Sequence, residues 1–298
     1  IRFNRSGTAT VLSGAINQGQ GHETVFKQLV CDRLGLEFDE TYYTQGDTDL
    51  ISFGQGTGGS RSATIGGSAL LLASDKIIQK ARQIAAHLLE AAVADIDFEE
   101  GVFSIAGTDR RITIKEVAKA AAVPGKLPSG LEPGLNAQAV YNATEMNFPN
   151  GCHVVEVEID QETGAVDVIS YNVVDDVGTV MNPALLKGQI QGGVGQGLGQ
   201  ALMEDLCYDA GTGQNLTSSF LDYAIPRADD FSAINVKSNP VPTETNPLGV
   251  KGAGEAGNVG ALPAVSNAVV DALSEFGVTH IEMPATSERV WQVINKLP

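Results

Sequence analysis

The order of strand-like and helix-like segments predicts an α+β fold built as two lobes. Strands and helices follow one another without the strict alternation of a doubly wound sheet. Each half of the chain reads as strands, a glycine-rich loop and a long helix. The loops GQGHET and GQIQGGVGQG also share a Gly-Gln start, which points to an internal duplication. The expected lobes are residues 1–137 and 138–298, divided after the Pro- and Gly-rich loop at 124–133.

The elements follow in order. Residues 8–16 read as a strand, and 21–34 place Val25, Phe26, Leu29 and Val30 at helical spacing. A short strand at 41–45 precedes the glycine-rich stretch 46–67 and a long helix at 69–94. Residues 101–105 read as a strand, and 113–121 as a short helix with Thr113 as its cap. In the second half, 152–159 and 166–174 form a hairpin around DQETG at 160–164. Helices are expected at 188–205, despite its glycines, at 262–275 and at 288–295. In the last, Trp291, Val290 and Ile294 share a core face.

The 298 residues suffice for one large or two medium domains with real cores. The net charge of −17 argues against a nucleic-acid or anionic-membrane partner. A bound phosphate must then be held by backbone N–H groups and not by a basic surface. No apolar run reaches the length of a membrane span. Cys31, Cys152 and Cys207 lie far apart and form no CxxC, so no zinc or iron–sulfur site is legible. A reduced, cytoplasmic setting fits them. The chain opens at Ile1 inside an apparent strand with no signal peptide, as expected of a fragment or a processed subunit.

Three glycine-rich loops carry the chemistry: NQGQGHET at 17–24, GQGTGGSRS at 54–62 and LGVKGAGEAG at 248–257. Glycine lets backbone approach a ligand closely, and a loop that opens a helix aims free N–H groups at an anion. Three such loops and one lone carboxylate point to a large, phosphate-bearing cofactor with a general base beside it. Residues 54–59 match GxGxxG, but the preceding GDTDLIS is no buried apolar strand, so a nicotinamide site lacks its context. No P-loop pattern occurs. His22 and Glu23 are followed by Phe26 where a zinc-protease helix needs histidine.

Taken singly, these residues leave two readings open. Gly19, Gly21 and His22 suit an anion site or a plain helix start, and Ser60, Arg61 and Ser62 suit an oxyanion or simple capping. Gln189 suits a heterocycle edge or solvent. Glu255, among Ala253, Gly254, Ala256 and Gly257, is a poorly solvated base or an exposed helix-start glutamate helped by the dipole. Lys251 stands near enough in sequence to screen it. His87, His153 and His280 have no partner spacing and read as structural.

Together the motifs resemble the molybdenum hydroxylases, the family of xanthine dehydrogenase, aldehyde oxidase and carbon monoxide dehydrogenase. The resemblance runs in order through GQGHET, GDTDL, GTGGSRS, DDVGTVMNP, GQIQGGVGQGLGQAL, LDYAIPRADD, KGAGEAG and MPATSERVW. It is to the C-terminal part of the large, molybdopterin-binding subunit, whose aldehyde oxidase/xanthine dehydrogenase domain has two α/β lobes. The resemblance implies that Gln18, Gly19, Gln20, Gly21 and His22 contact the pterin. Gly58, Gly59, Ser60, Arg61 and Ser62 would lie by the molybdenum and the cofactor phosphate, and Gln189 would bind the pterin. Glu255, after Gly254, matches the family's catalytic glutamate.

The implied reaction is oxidative hydroxylation of an aldehyde or N-heterocycle, with water as the oxygen source and Glu255 as general base. The implied cofactor is molybdenum-molybdopterin in its cytosine dinucleotide form, with no protein side chain on the metal. The implied partners are the upstream part of the molybdenum subunit, a 2Fe-2S subunit and an FAD subunit, and the substrate is a small molecule. GEAG resembles the aldehyde and N-heterocycle oxidoreductases more than the xanthine type. The alternative expectation is a cofactor-binding half-subunit or fragment, inactive without its partner chains.

Overall fold

The computed structural model describes residues 1–296. The chain divides into two compact units. The first is Ile1–Met146 together with Thr243–Val250, and the second is Asn147–Pro242 with the chain from Lys251 onward.

In the first unit, β1 (Arg2–Phe3) pairs antiparallel with β2 (Ala9–Ser13), which pairs parallel with β3 (Thr41–Gln45). The parallel pair needs a crossover, supplied by α1 (His22–Leu34). Alternate residues Ala9, Val11 and Ser13 of β2 are buried, as are Phe26, Val30 and Leu34 of α1. The long helix α2 (Ser68–Leu89) buries Leu70, Ala73, Ile77, Ala81 and Ile84, the stripe that a period of 3.6 puts on one face. Truncating Ile77 or Ile84, both fully buried, would cost on the order of 2–5 kcal/mol. A small antiparallel sheet of β4 (Ile96–Glu99), β5 (Val102–Ile105) and β6 (Arg111–Thr113) follows. It leads into α3 (Ile114–Ala121), which opens on a reciprocal capping box between Thr113 and Glu116.

The second unit repeats the opening order of the first. The hairpin of β7 (Asn150–Ile159) and β8 (Val166–Asp176) is antiparallel, and β9 (Ile234–Ser238) lies parallel to β8. α4 (Pro183–Leu202) makes the crossover, and α5 (Ala256–Ala272) follows β9 as α2 follows β3. Val168, Tyr171 and Val173 of β8 form a core with Ile190, Val194 and Leu198 of α4 and Ala261, Val265 and Val269 of α5. α6 (Ser287–Ile294) closes the described chain. Three small sheets and six helices make the fold α+β, as expected. Among the described residues no helix is long and apolar enough to cross a membrane.

Several boundaries differ from the sequence expectation. The helix expected to reach residue 94 stops at Leu89, where Glu90 turns left-handed (φ 52°) and donates back to Ala86 and His87. It also starts within the stretch expected as loop, through a π-helical turn at Ala63–Gly67. α4 begins five residues before the expected 188, because Asn182 accepts from the Leu185 N–H and Pro183 fits the first helical position. α5 begins at Ala256 and not at 262, and it carries Pro263 in its interior. Trp291, expected on a core face, is 38% exposed, and of that trio only Val290 is fully buried.

Candidate functional site

The first two glycine loops leave the carboxyl ends of the parallel strands β2 and β3. Beyond β2, Gly14 lies backbone to backbone on Gly54. A Cβ on Gly14 would stand 2.6 Å from the Gly54 Cα and 2.7 Å from the Phe53 carbonyl, so neither glycine tolerates a side chain. One step on, Thr57 Oγ1 donates to the Ile16 carbonyl (2.7 Å) and accepts from the Ile16 N–H (3.1 Å). The same hydroxyl is 3.1 Å from Ser62 Oγ. Asn17 donates its N–H to Gln45 Oε1 at the end of β3 (2.8 Å). Its own Oδ1 accepts from the N–H groups of Gly19 (3.2 Å) and Gly21 (3.0 Å). The structure therefore joins the residues leading into Gln18–His22 to those leading into Gly58–Ser62, although the two are far apart in sequence.

The shape of each loop follows from its residues. Gly59 and Ser60 both take positive φ, 60° and 54°. That turns the chain sharply into the π-helical start of α2. Arg61 folds back, its Nε donating to the Gly58 carbonyl (3.2 Å). The Gln18 N–H donates to Gln20 Oε1. Gly21, at φ 79°, brings His22 in as the first residue of α1. His22 is buried and stacked on Phe26 at 5.3 Å. Burial pushes its pKa down, so the ring is neutral at pH 7, and its Nδ1 has no hydrogen-bond partner among the described residues.

In the second unit, α4 and α5 cross on glycines. A Cβ on Gly257 would lie 2.4 Å from the Ile190 carbonyl, and one on Gly197 would lie 2.5 Å from the Ala261 Cβ. This crossing sets the turn bearing Gln189 beside the first turn of α5, whose N-cap is Glu255. Glu255 and Gly254 are exposed, so the enclosure that the neighbouring small residues suggested is not supplied by the described chain. The Lys251 ammonium donates to Asp176 Oδ2 at 2.5 Å.

Sequence reasoning missed the polar end of β8. His153, read as structural, has its Nδ1 2.7 Å from the Tyr171 hydroxyl and its Nε2 3.7 Å from Asp175 Oδ1, and all three residues are largely buried. Burial, then the Asp175 charge, pushes the Tyr171 hydroxyl up, so it keeps its proton. The visible signal was the pair Asp175–Asp176 directly after the apolar pair Val173–Val174. Thr57 and Asn17 gave no signal beyond being polar loop residues.

Glycine loops leaving the carboxyl ends of parallel strands stand where such folds commonly bind ligands. The family model described as molybdopterin cofactor-binding domain matches residues 1–232, and the chain belongs to that family, among the molybdenum hydroxylases. It is 38% identical over 297 residues to the carbon monoxide dehydrogenase large chain of Hydrogenophaga pseudoflava, covering 99% of this chain and 37% of that one. It is 40% identical over 292 residues to the nicotine 6-hydroxylase large subunit of Paenarthrobacter nicotinovorans, covering 97% of this chain and 36% of that one. The solved structure of quinoline 2-oxidoreductase from Pseudomonas putida 86 matches with a TM-score of 0.90 at 36% identity, over 100% of this chain and 38% of that one. The chain thus spans less than two fifths of the length of these relatives.

Proposed function

We propose that this chain is the molybdopterin-binding part of an enzyme that oxidatively hydroxylates an aldehyde or an N-heterocycle. Water is the oxygen source and Glu255 the general base. The observation that carries the reading is Glu255 at the N-cap of α5, one turn from the α4 crossing that holds Gln189. Two relatives, a nicotine hydroxylase and a quinoline oxidoreductase, favour an N-heterocycle.

The residues present suit the cofactor. Gly19, Gly58 and Gly188 have open space where a Cβ would stand, so a ligand can reach their backbone. The side chains around them are amides and hydroxyls, which match a pterin edge and a phosphate. Gln18, Gly19, Gln20, Gly21 and His22 would hold the pterin, with Gly58–Ser62 at the phosphate and Gln189 also on the pterin. The lobes proposed to bind it are 1–137 and 138–298. The bound molybdenum centre supplies a two-electron acceptor. Replacing C–H by C–OH with water releases two electrons and two protons, and the Glu255 carboxylate takes up one of those protons. The cytosine dinucleotide form, a 2Fe-2S and an FAD subunit to carry the electrons away, and a cytoplasmic setting belong to the same proposal.

The test is Glu255→Gln in the assembled enzyme, which keeps size and hydrogen bonding but cannot accept the proton. Turnover should fall by about two decades or more while molybdenum content holds. Near-wild-type turnover at full molybdenum loading would overturn the reading. The exposure of Glu255 favours a second reading, a half-subunit with no turnover of its own until its partner chains enclose the base. Metal analysis and nucleotide release, on the chain purified with and without its neighbours, separate the two. Release of a cytosine nucleotide also tests the cofactor form.

A further inference from the structure

The stretch carrying Glu255 is fixed at two points. On one side, the Lys251 N–H donates to the Val177 carbonyl (2.8 Å) and the Lys251 ammonium to Asp176 Oδ2 (2.5 Å). Both side chains are nearly nine-tenths buried, at 11% and 12% exposed. The carboxylate is itself held, since Asp176 Oδ1 accepts from the N–H groups of Gly178 (2.8 Å) and Val241 (2.9 Å). On the other side, Gly257 is flush against α4, with no room for a Cβ beside the Ile190 carbonyl.

Between these points lie Gly252, Ala253, Gly254, Glu255 and Ala256. Glycine and alanine give such a segment few side-chain anchors, and glycine adds backbone freedom. Where Lys251 and Gly257 are held therefore bounds the positions open to Glu255, whose carbonyl also accepts from the Val259 N–H (3.0 Å). Gly257 is held by packing. Lys251 is held by one buried ion pair and one backbone hydrogen bond. A misplacement of about 1 Å at a reacting group costs on the order of a hundredfold in rate.

We propose that Asp176 and Lys251 are positioning residues, a clamp between the end of β8 and the 248–257 loop that sets where the Glu255 carboxylate stands. The proposal rests on Glu255 being the base. Lys251 acts by geometry, with its ammonium donating to Asp176.

The experiment uses the assembled holoenzyme with Lys251→Met, Lys251→Arg, Asp176→Asn and the double variant D176N/K251M, beside Glu255→Gln. It reads amide hydrogen exchange across 252–257, molybdenum per chain, and kcat and KM separately. In K251M and D176N, exchange across the segment should quicken about tenfold or more. Their kcat should fall by about ten- to a hundredfold, with KM within about threefold and molybdenum unchanged. K251R should recover to within about threefold of wild type, and the double variant should be no worse than the poorer single one. Wild-type exchange and kcat in K251M would overturn the clamp, as would a K251R variant no better than K251M or a loss of molybdenum in step with kcat. If K251M does not fold, the milder D176N is read by the same measures. Full turnover in Glu255→Gln would overturn the assignment of the base alone, since the exchange of 252–257 reports on the clamp independently of turnover.

Discussion

Asp175 and Asp176 adjoin at the end of β8, and both are buried, yet they do different work. Asp175 faces the His153 ring, and Asp176 takes the Lys251 ammonium. Burial alone would push Asp176 up. The Lys251 hydrogen bond, the N–H groups of Val241 and Gly178 and the Lys251 charge outweigh it, and hold the carboxyl at about 2. A folded pKa below the unfolded one means that the ionised form stabilises the fold. That contribution is complete above the unfolded value of about 4 and is lost as pH falls toward 2. Asp176→Asn should therefore cost about 1–3 kcal/mol near neutrality. The gap from wild type should narrow as the pH is lowered from about 5 to 2. Denaturant midpoints of the two proteins across that range check it, and a gap that is constant with pH would refute it.

Between elements, glycines set the distances. α5 lies against α4 through Gly193, Gly197 and Gly257, and against β7 through Gly260, where a Cβ would stand 2.4 Å from His153 Nε2. That ring is bonded to Tyr171 and cannot swing away freely. Gly260→Ala and Gly257→Ala should each destabilise by about 1–3 kcal/mol through overpacking. Gly188→Ala faces open space within the same helix α4, and should leave stability unchanged or raise it by up to about 1 kcal/mol. Thermal midpoints of the three variants test the contrast. If Gly188→Ala keeps the fold but lowers cofactor content, the approach of a ligand to that backbone is supported as well.

Over the whole molecule, the irregular stretch between α4 and β9 leaves large apolar side chains in water. Phe220 is 89% and Leu221 93% exposed, with Leu206, Tyr208 and Leu216 more than half exposed nearby in sequence. Grouped exposure of this kind marks a surface that another chain covers. The relatives are more than twice as long as this chain, and the occupant we expect is the remainder of the molybdenum subunit. The chain purified alone should be cofactor-poor, inactive in dye reduction with aldehydes and N-heterocycles, and prone to self-association. Replacing Phe220 and Leu221 by serine should reduce that association, as read by light scattering. Robust turnover by the isolated chain would show that no further portion is needed.

The sequence by itself determined the α+β class, the order of most elements and the family. Periodicity marked α1, α2 and the β7–β8 hairpin, because their apolar residues recur at the spacing of one buried face. Ordered motifs such as GQGHET and KGAGEAG carried the resemblance to the family because several in the right order are far more specific than any one of them. The edge strands β4, β6 and β9 were not legible. They are three to five residues long, and pairing partners decide such short strands more than their own residues do. Only the tertiary structure joined Thr57 to Ile16, returned Thr243–Val250 to the first unit, and paired Lys251 with Asp176. The physical reason is the same in each case. A hydrogen bond or an ion pair between residues distant in sequence depends on where the backbone brings two polar atoms, and no local pattern of residue types records that distance.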